Sequence, residues 1–289
     1  MKIGFIGAGK VGRALGVYFK NHGLEVAGYI SRSRNSAEEA AKITGTKAYP
    51  SMEALQEEAD VIFITTPDGA IAEVAGEAAA KLRAPCGTTW IHASGAFGSD
   101  RLSALSAMGC PVGSMHPLQS FGEPLASAEK LEKTFFSIEG GEKGLEVIKS
   151  ILEKTGGRYN LISTEHKPLY HAGACVISNY LVTLLDSGMR YMEAAGMDRR
   201  SLYQAIEPLI EGTLENISRA DTVSALTGPI ARGDMDTLKA HLDEIEKDLP
   251  GELALYQMLA VKTAEMIRDK RLTGEKSEAI EKLMERGRV

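Results

Sequence analysis

The chain opens Met1-Lys2-Ile3-Gly4-Phe5-Ile6-Gly7-Ala8-Gly9-Lys10-Val11-Gly12, and these twelve residues settle its architecture. Residues 2–6 form a short, nearly continuous apolar run, as expected of a strand buried on both faces. A G-x-G-x-x-G follows at once and opens a helical pattern. Val11, Leu15, Tyr18 and Phe19 recur on one face until His22-Gly23 stops it. The three glycines act differently. Gly7 permits a tight turn, Gly9 lets backbone approach a pyrophosphate, and Gly12 lets the helix lie close to the strand. The free N–H groups and positive dipole end of the helix then face the phosphates. Gly7, Ala8, Gly9, Lys10, Val11 and Gly12 are therefore the expected dinucleotide-binding loop. Lys10 either adds positive charge there or is simply solvated.

Beyond this segment, further strand patterns stand at 25–30, 60–65, 89–93 and 111–115, with helical patterns at 36–44 and 51–58. Residues 134–138, 142–154 and 158–162 add a strand, a helix and a strand. Strand-helix alternation of this kind predicts an α/β, doubly wound parallel sheet. After Ser163 the period changes. Residues 167–195 run without strand punctuation, and helical patterns follow at 202–219, 236–249 and 252–271. The expected organisation is a dinucleotide-binding domain over 1–163 and an all-helical domain over 164–289.

The end of the second strand indicates which dinucleotide. An NAD-binding chain usually places an acid there to bond the ribose 2′-hydroxyl. Here the segment reads Tyr29-Ile30-Ser31-Arg32-Ser33-Arg34, without a carboxylate. A planar guanidinium pairs well with phosphate oxygens. The segment favours NADP(H), with Ser31, Arg32 and Ser33 at the 2′-phosphate; alternatively, Arg32 and Arg34 are solvated loop charges.

Ligands of open α/β sheets gather at the carboxyl ends of the strands. Thr66-Pro67-Asp68 stands at one such end, as a cofactor contact or merely a turn and helix cap. His92-Ala93-Ser94-Gly95 stands at another, with Ser94 a candidate contact near the nicotinamide. His116-Pro117-Leu118-Gln119-Ser120-Phe121 leaves a third, which aims His116 into the crevice. His171, Cys175, Asn179 and Thr183 recur every four residues, so one helix carries them as a row. That row is either a buried hydrogen-bond seam or a substrate-facing wall. Hydride transfer needs a group that gives or takes a proton, and His116 and His171 are the candidates, with Asn179 orienting the substrate. Arg232, in the turn-rich 226–234 segment, either clamps a substrate carboxylate or pairs with Asp234.

Composition excludes several other classes. The 289 residues carry a net charge of −6, which disfavours a nucleic-acid-binding surface. No apolar run approaches the length of a membrane span, and the glycine-broken start is too short for a signal-peptide core. Three cysteines, Cys86, Cys110 and Cys175, are an odd number without metal-ligand spacing, so neither a disulfide scaffold nor a metal site is expected. A cytoplasmic, reduced protein is the default.

Taken together, the glycine loop, Ser-Arg after the second strand, Thr-Pro-Asp, His-x-Ser-Gly, His-Pro-Leu-Gln-Ser-Phe, His-Ala-(x)6-Asn-Tyr and Thr-Gly-Pro-(x)2-Arg-Gly-Asp resemble the uncharacterised Rossmann-like oxidoreductases with a helical C-terminal domain. The resemblance covers essentially the whole chain. The wider superfamily holds 6-phosphogluconate dehydrogenase, β-hydroxyacid dehydrogenases, ketopantoate reductase, pyrroline-5-carboxylate reductase and deazaflavin-dependent NADP reductase. The resemblance implies an NADP(H)-dependent oxidoreductase that dimerises through its helical domain. The expected activity is hydride transfer to or from a small polar carbonyl or hydroxyl substrate in an interdomain cleft. Imine reduction and nucleotide sensing without turnover are the alternatives. One departure stands out: β-hydroxyacid dehydrogenases and ketopantoate reductases carry a lysine four residues before an asparagine on the first long helix, and here that position is Cys175.

Overall fold

The computed structural model describes residues 1–83 and 85–286. Among them, eight strands form one sheet: β1 (Lys2–Ile6), β2 (Glu25–Ile30), β3 (Lys47–Ala48), β4 (Val61–Ile64), β5 (Thr89–His92), β6 (Val112–Pro117), β7 (Phe135–Gly140) and β8 (Arg158–Leu161). Their order is β3-β2-β1-β4-β5-β6-β7-β8, reversing direction on either side of β1 as a doubly wound sheet does. Side chains alternate between two cores, because successive residues of a strand face opposite ways. Ile3, Phe5, Val61, Phe63 and Ile91 enter one cluster, while Ile6, Ile62, Ile64 and Trp90 enter the other. Helices cover both faces, which is why these strands read as continuous apolar runs.

Two features depart from expectation. The sheet is not wholly parallel: β7 runs antiparallel to β6, and β8 follows the direction of β7. The helix between β6 and β7, Pro124–Leu131, has eight residues. Cys86 and Cys110, which precede the adjacent strands β5 and β6, are disulfide-bonded, contrary to the reduced state expected from the cysteine count.

The chain divides into two compact units, Met1–Asn179 and Tyr180–Val289. The division expected after Ser163 therefore falls later. Helix Lys167–Ile177 belongs with the sheet, anchored by hydrogen bonds from Lys167 to Ser94 and Ser114. The continuous helical run expected over 167–195 is two helices, Lys167–Ile177 and Asn179–Ala194, parted at Ser178. The second unit is helical. Its core gathers Leu238, Leu242, Ala260, Ala264, Ile267, Ile280 and Met284 from helices Met235–Asp248, Leu253–Ile267 and Gly274–Met284. No helix among the described residues is long and apolar enough to cross a membrane.

Candidate functional site

The glycine loop is shaped by backbone contacts. Gly7 has φ +108°, and a Cβ there would stand 2.7 Å from the Thr65 carbonyl carbon and 2.8 Å from the Thr66 nitrogen. Only glycine tolerates both conditions. A Cβ on Gly12 would stand 2.5 Å from Thr65 Oγ1 and 2.7 Å from the Gly7 oxygen. Around Gly9, by contrast, there is open space. Gly9 caps helix Lys10–Asn21 without a side-chain bond, so the first-turn N–H groups remain available to a ligand. Arg13 braces the loop from behind, donating to the Ala8 carbonyl at 2.7 Å and pairing with Glu39 at 2.9 Å.

A cavity of about 400 Å³ opens in front of this loop. Of the residues expected at the cofactor, Gly7, Ala8, Gly9, Ser31, Arg32, Thr66 and Pro67 line it. Ser33 lines an adjoining recess and caps helix Arg34–Thr44 through its hydroxyl. Arg32 is exposed and, among the described residues, has no ion-pair partner, whereas Arg34 pairs with Glu38 at 2.8 Å. Thr66 Oγ1 is buried in the cavity wall without a hydrogen-bond partner among the described residues. A free cation and an orphaned hydroxyl around unblocked helix N–H groups fit a phosphorylated dinucleotide.

The remaining expected contacts lie elsewhere. Lys10 is exposed, Val11 packs on the core, and Asp68 opens a 3-10 turn, and none of the three lines the cavity. Ser94 folds its hydroxyl into its own loop, where it accepts from the N–H groups of Ala96 and Phe97.

A second cavity, of about 500 Å³, lies where β6 ends. His116, Gln119, Ser120, His171, Cys175 and Asn179 supply its polar wall, and Leu118, Phe121, Ala174 and Ile177 its apolar wall. The two histidines converge: a Cβ on Gly95 would meet His171 Nδ1 at 2.6 Å and His116 Nε2 at 2.7 Å. Gly95 therefore leaves the space that both nitrogens face. The other nitrogen of each ring is occupied, His116 Nδ1 by the Tyr170 hydroxyl at 2.9 Å and His171 Nε2 by Cys175 Sγ at 3.6 Å. His171 Nδ1 is buried and has no hydrogen-bond partner among the described residues. Burial, reinforced by the positive charge of Lys167, pushes the His116 pKa down to about 3, so its imidazole is neutral near pH 7. His92 is likewise held down to about 4 by burial, with both ring nitrogens bonded, to the Gly98 carbonyl and the Ser94 N–H. It is a satisfied core histidine.

Residues 1–117 match the model of a Rossmann-like domain, and residues 134–263 match that of a domain of unknown function, DUF2520. No curated protein matches the chain. Among solved structures, a Thermotoga maritima protein, TM1727, is 28% identical, with a TM-score of 0.74 over 93% of this chain and 100% of its own. A candidate NADP oxidoreductase from Bacteroides fragilis is 20% identical, with a TM-score of 0.74 over 91% of this chain and 98% of its own. An imine reductase from Myxococcus stipitatus, solved with NADP+, is 15% identical, with a TM-score of 0.65 over 97% of this chain and 99% of its own. At these identities the last two establish the shared architecture, a Rossmann domain followed by helices.

Sequence reasoning missed Lys167. Its side chain is 0% exposed and donates to the Ser94 carbonyl at 2.8 Å and to Ser114 Oγ. Burial lowers its pKa to about 8, against the opposing pull of Glu139, Asp68 and Asp100. The resemblance directs attention to a lysine one turn before Asn179, and the buried one stands three turns before it. Its signal was its position: Lys167 is one turn N-terminal to His171, so the same helix face carries both. Arg232 lies in the second unit and pairs with Asp234 at 3.9 Å.

Proposed function

We propose that the chain is an NADP(H)-dependent oxidoreductase acting on a small polar carbonyl or hydroxyl substrate in the imidazole cavity. The observation that carries this reading is the convergence of His116 Nε2 and His171 Nδ1 over Gly95, at the same strand ends that hold the glycine-loop cavity. When bound, the dinucleotide supplies two-electron redox chemistry. Gly7, Gly9 and the first-turn N–H groups hold its pyrophosphate, Thr66 Oγ1 gains a partner, and Arg32 pairs with a 2′-phosphate. His116 and His171 face the reacting oxygen. A neutral imidazole accepts the hydroxyl proton on substrate oxidation, and the Tyr170 and Cys175 contacts keep each ring aimed. Asn179 and Gln119 orient the remaining polar groups of the substrate, while Leu118 and Phe121 limit water.

The resemblance to an imine reductase supports a second reading, and the depressed basicity of His116 favours it. A carbonyl must gain a proton as it is reduced, and a ring that stays neutral near pH 7 holds no surplus proton to give. An iminium ion arrives already protonated on nitrogen, so its carbon needs only the hydride and orientation. Absorbance at the nicotinamide band across carbonyl, hydroxyl and imine panels separates the two. Oxidation of NADPH by imines alone selects the second reading, and NADPH binding without turnover on any panel makes the protein a sensor.

We further infer a homodimer. Leu169, Val176 and Ile177 are exposed on helix Lys167–Ile177, as are Leu209 and Leu214 on helix Arg199–Arg219, whose buried residues are Leu202 and Ile206 alone among the described residues. Apolar faces of this extent on a chain of ordinary composition call for a cover, and a second copy supplies it. Light scattering should return twice the chain mass, and a monomer at micromolar concentration refutes the inference.

A further inference from the structure

Next to the imidazole cavity, Glu139, Lys167, Ser94 and Ser114 are buried polar residues that the proposed chemistry leaves unused. Glu139 of β7 is 5% exposed. It accepts hydrogen bonds from the Ser99 N–H, from Ser99 Oγ at 3.1 Å and from Thr164 Oγ1 at 2.8 Å. Its partner across the β6–β7 ladder is Ser114, the same residue whose hydroxyl accepts from Lys167. A buried carboxylate and a buried ammonium thus occupy one layer, bridged through the β6–β7 ladder. Each would be a costly isolated charge without the other.

The groups they fasten are the ones that build the cavity. Glu139 ties the turn at Ser99 to the turn Thr164–His166, which launches the helix carrying His171. Lys167 ties that same helix to Ser94, next to Gly95, and to Ser114, two residues before His116 on β6. Strand, loop and helix are each held by at least one of these two side chains. We propose that Glu139 and Lys167 form a buried clamp that sets the spacing of His116 and His171 and so positions both rings for the reaction. They are positioning residues and do not touch substrate. Their service to the reaction rests on the function proposed above, whereas the placement of the rings is measurable without nucleotide or substrate.

The charged and titratable groups facing His116 are Lys167, His171, His92 and the Tyr170 hydroxyl. Removing Lys167 therefore has a signed consequence. The test compares Lys167→Met, Glu139→Gln, the double variant and Ser114→Ala with the wild-type full chain. The readouts are histidine ring 15N shifts on acidification from near neutral pH and thermal unfolding. The clamp predicts that Lys167→Met displaces the His116 and His171 signals together and moves His116 protonation upward by about half a pH unit or more. It predicts melting losses for the two single variants that exceed, when added, the loss in the double, since the remaining partner is then no longer stranded. Ser114→Ala keeps both charges and should still displace both ring signals, which preserves the test if Lys167→Met fails to fold. A structural role alone would lower melting temperatures in strictly additive fashion and leave both rings at their wild-type shifts. Unchanged ring spectra in Ser114→Ala, or in a folded Lys167→Met, overturn the clamp. A failure of NADPH to bind the wild-type chain refutes the functional reading and does not alter these spectra.

Discussion

The glycine-loop cavity and the imidazole cavity stand at the same ends of one sheet, yet they are built from opposite materials. The first is backbone: glycines, helix N–H groups and a positive φ at Gly7, with few side chains taking part. The second is side chain: two rings brought over Gly95 from a strand and a helix that lie 54 residues apart, counted from His116 to its partner Tyr170. A backbone site tolerates any side chain that leaves space and fails on any added Cβ that fills it. A side-chain site depends on a few particular atoms and on whatever aims them.

Damage to the side-chain site should cost the most turnover. His116→Ala and His171→Ala each remove one of the two convergent nitrogens, and loss of a general acid or base costs about 10²–10⁴-fold in rate. NADPH affinity, measured by fluorescence titration, should stay near that of the wild type, because neither ring lines the glycine-loop cavity. If affinity falls in step with turnover, the two cavities are not separate in function.

The backbone site fails in two distinguishable ways. Gly12→Val drives a side chain into Thr65 Oγ1 and the Gly7 oxygen, where little can yield, and should lower stability by about 2–3 kcal/mol. Gly9→Val enters open space, so the melting temperature should hardly move. The same side chain obstructs the approach of phosphate to the helix end, so dinucleotide affinity should fall about 100-fold or more, close to 3 kcal/mol. Equal melting losses in the two variants would show that the glycines serve packing alone.

The same contrast governs what was legible in the sequence. Spacing carries a backbone site, so Gly7, Gly9 and Gly12 mark both the fold and the cavity in the sequence itself. Continuous apolar runs marked β1, β2, β4 and β5 because both sheet faces are covered. Lys167 escaped because charge in a sequence reads as exposure, and only the fold supplies the Ser94 carbonyl and Ser114 hydroxyl that let an ammonium be buried. The reversal at β7 escaped because strand patterns do not encode direction. The disulfide escaped because a cysteine count cannot place Cys86 beside Cys110 until β5 and β6 are known to be neighbours.

Arg32 is the one side chain of the backbone site assigned a specific partner. Arg32→Ala should weaken NADPH binding about 10–100-fold, the range for a charge-assisted hydrogen bond of 1.5–3 kcal/mol. NADH has no 2′-phosphate, so its affinity should not change. Equal losses with both nucleotides would assign Arg32 to the pyrophosphate, and no loss with either would make it a solvated charge.

The mildest consequence is a dependence of stability on pH that belongs to the side-chain layer and not to the glycine loop. His116 and His92 titrate in the folded chain at about 3 and about 4, below the ordinary 6.5. As pH falls below 6.5, the unfolded chain takes up protons that the folded chain refuses, so these two residues withdraw stability progressively down to about pH 3. Lys167 has the same direction of shift in another window, from 10.5 to about 8. Between those values the folded chain has released a proton that the unfolded chain still holds, so stability from this residue rises with pH. Melting curves of wild type minus Lys167→Met should therefore slope upward from pH 8 to pH 10.5 and lie flat between 7 and 8. A flat difference throughout would mean that Lys167 titrates normally, in which case water reaches its ammonium and the layer beneath the two rings is wet.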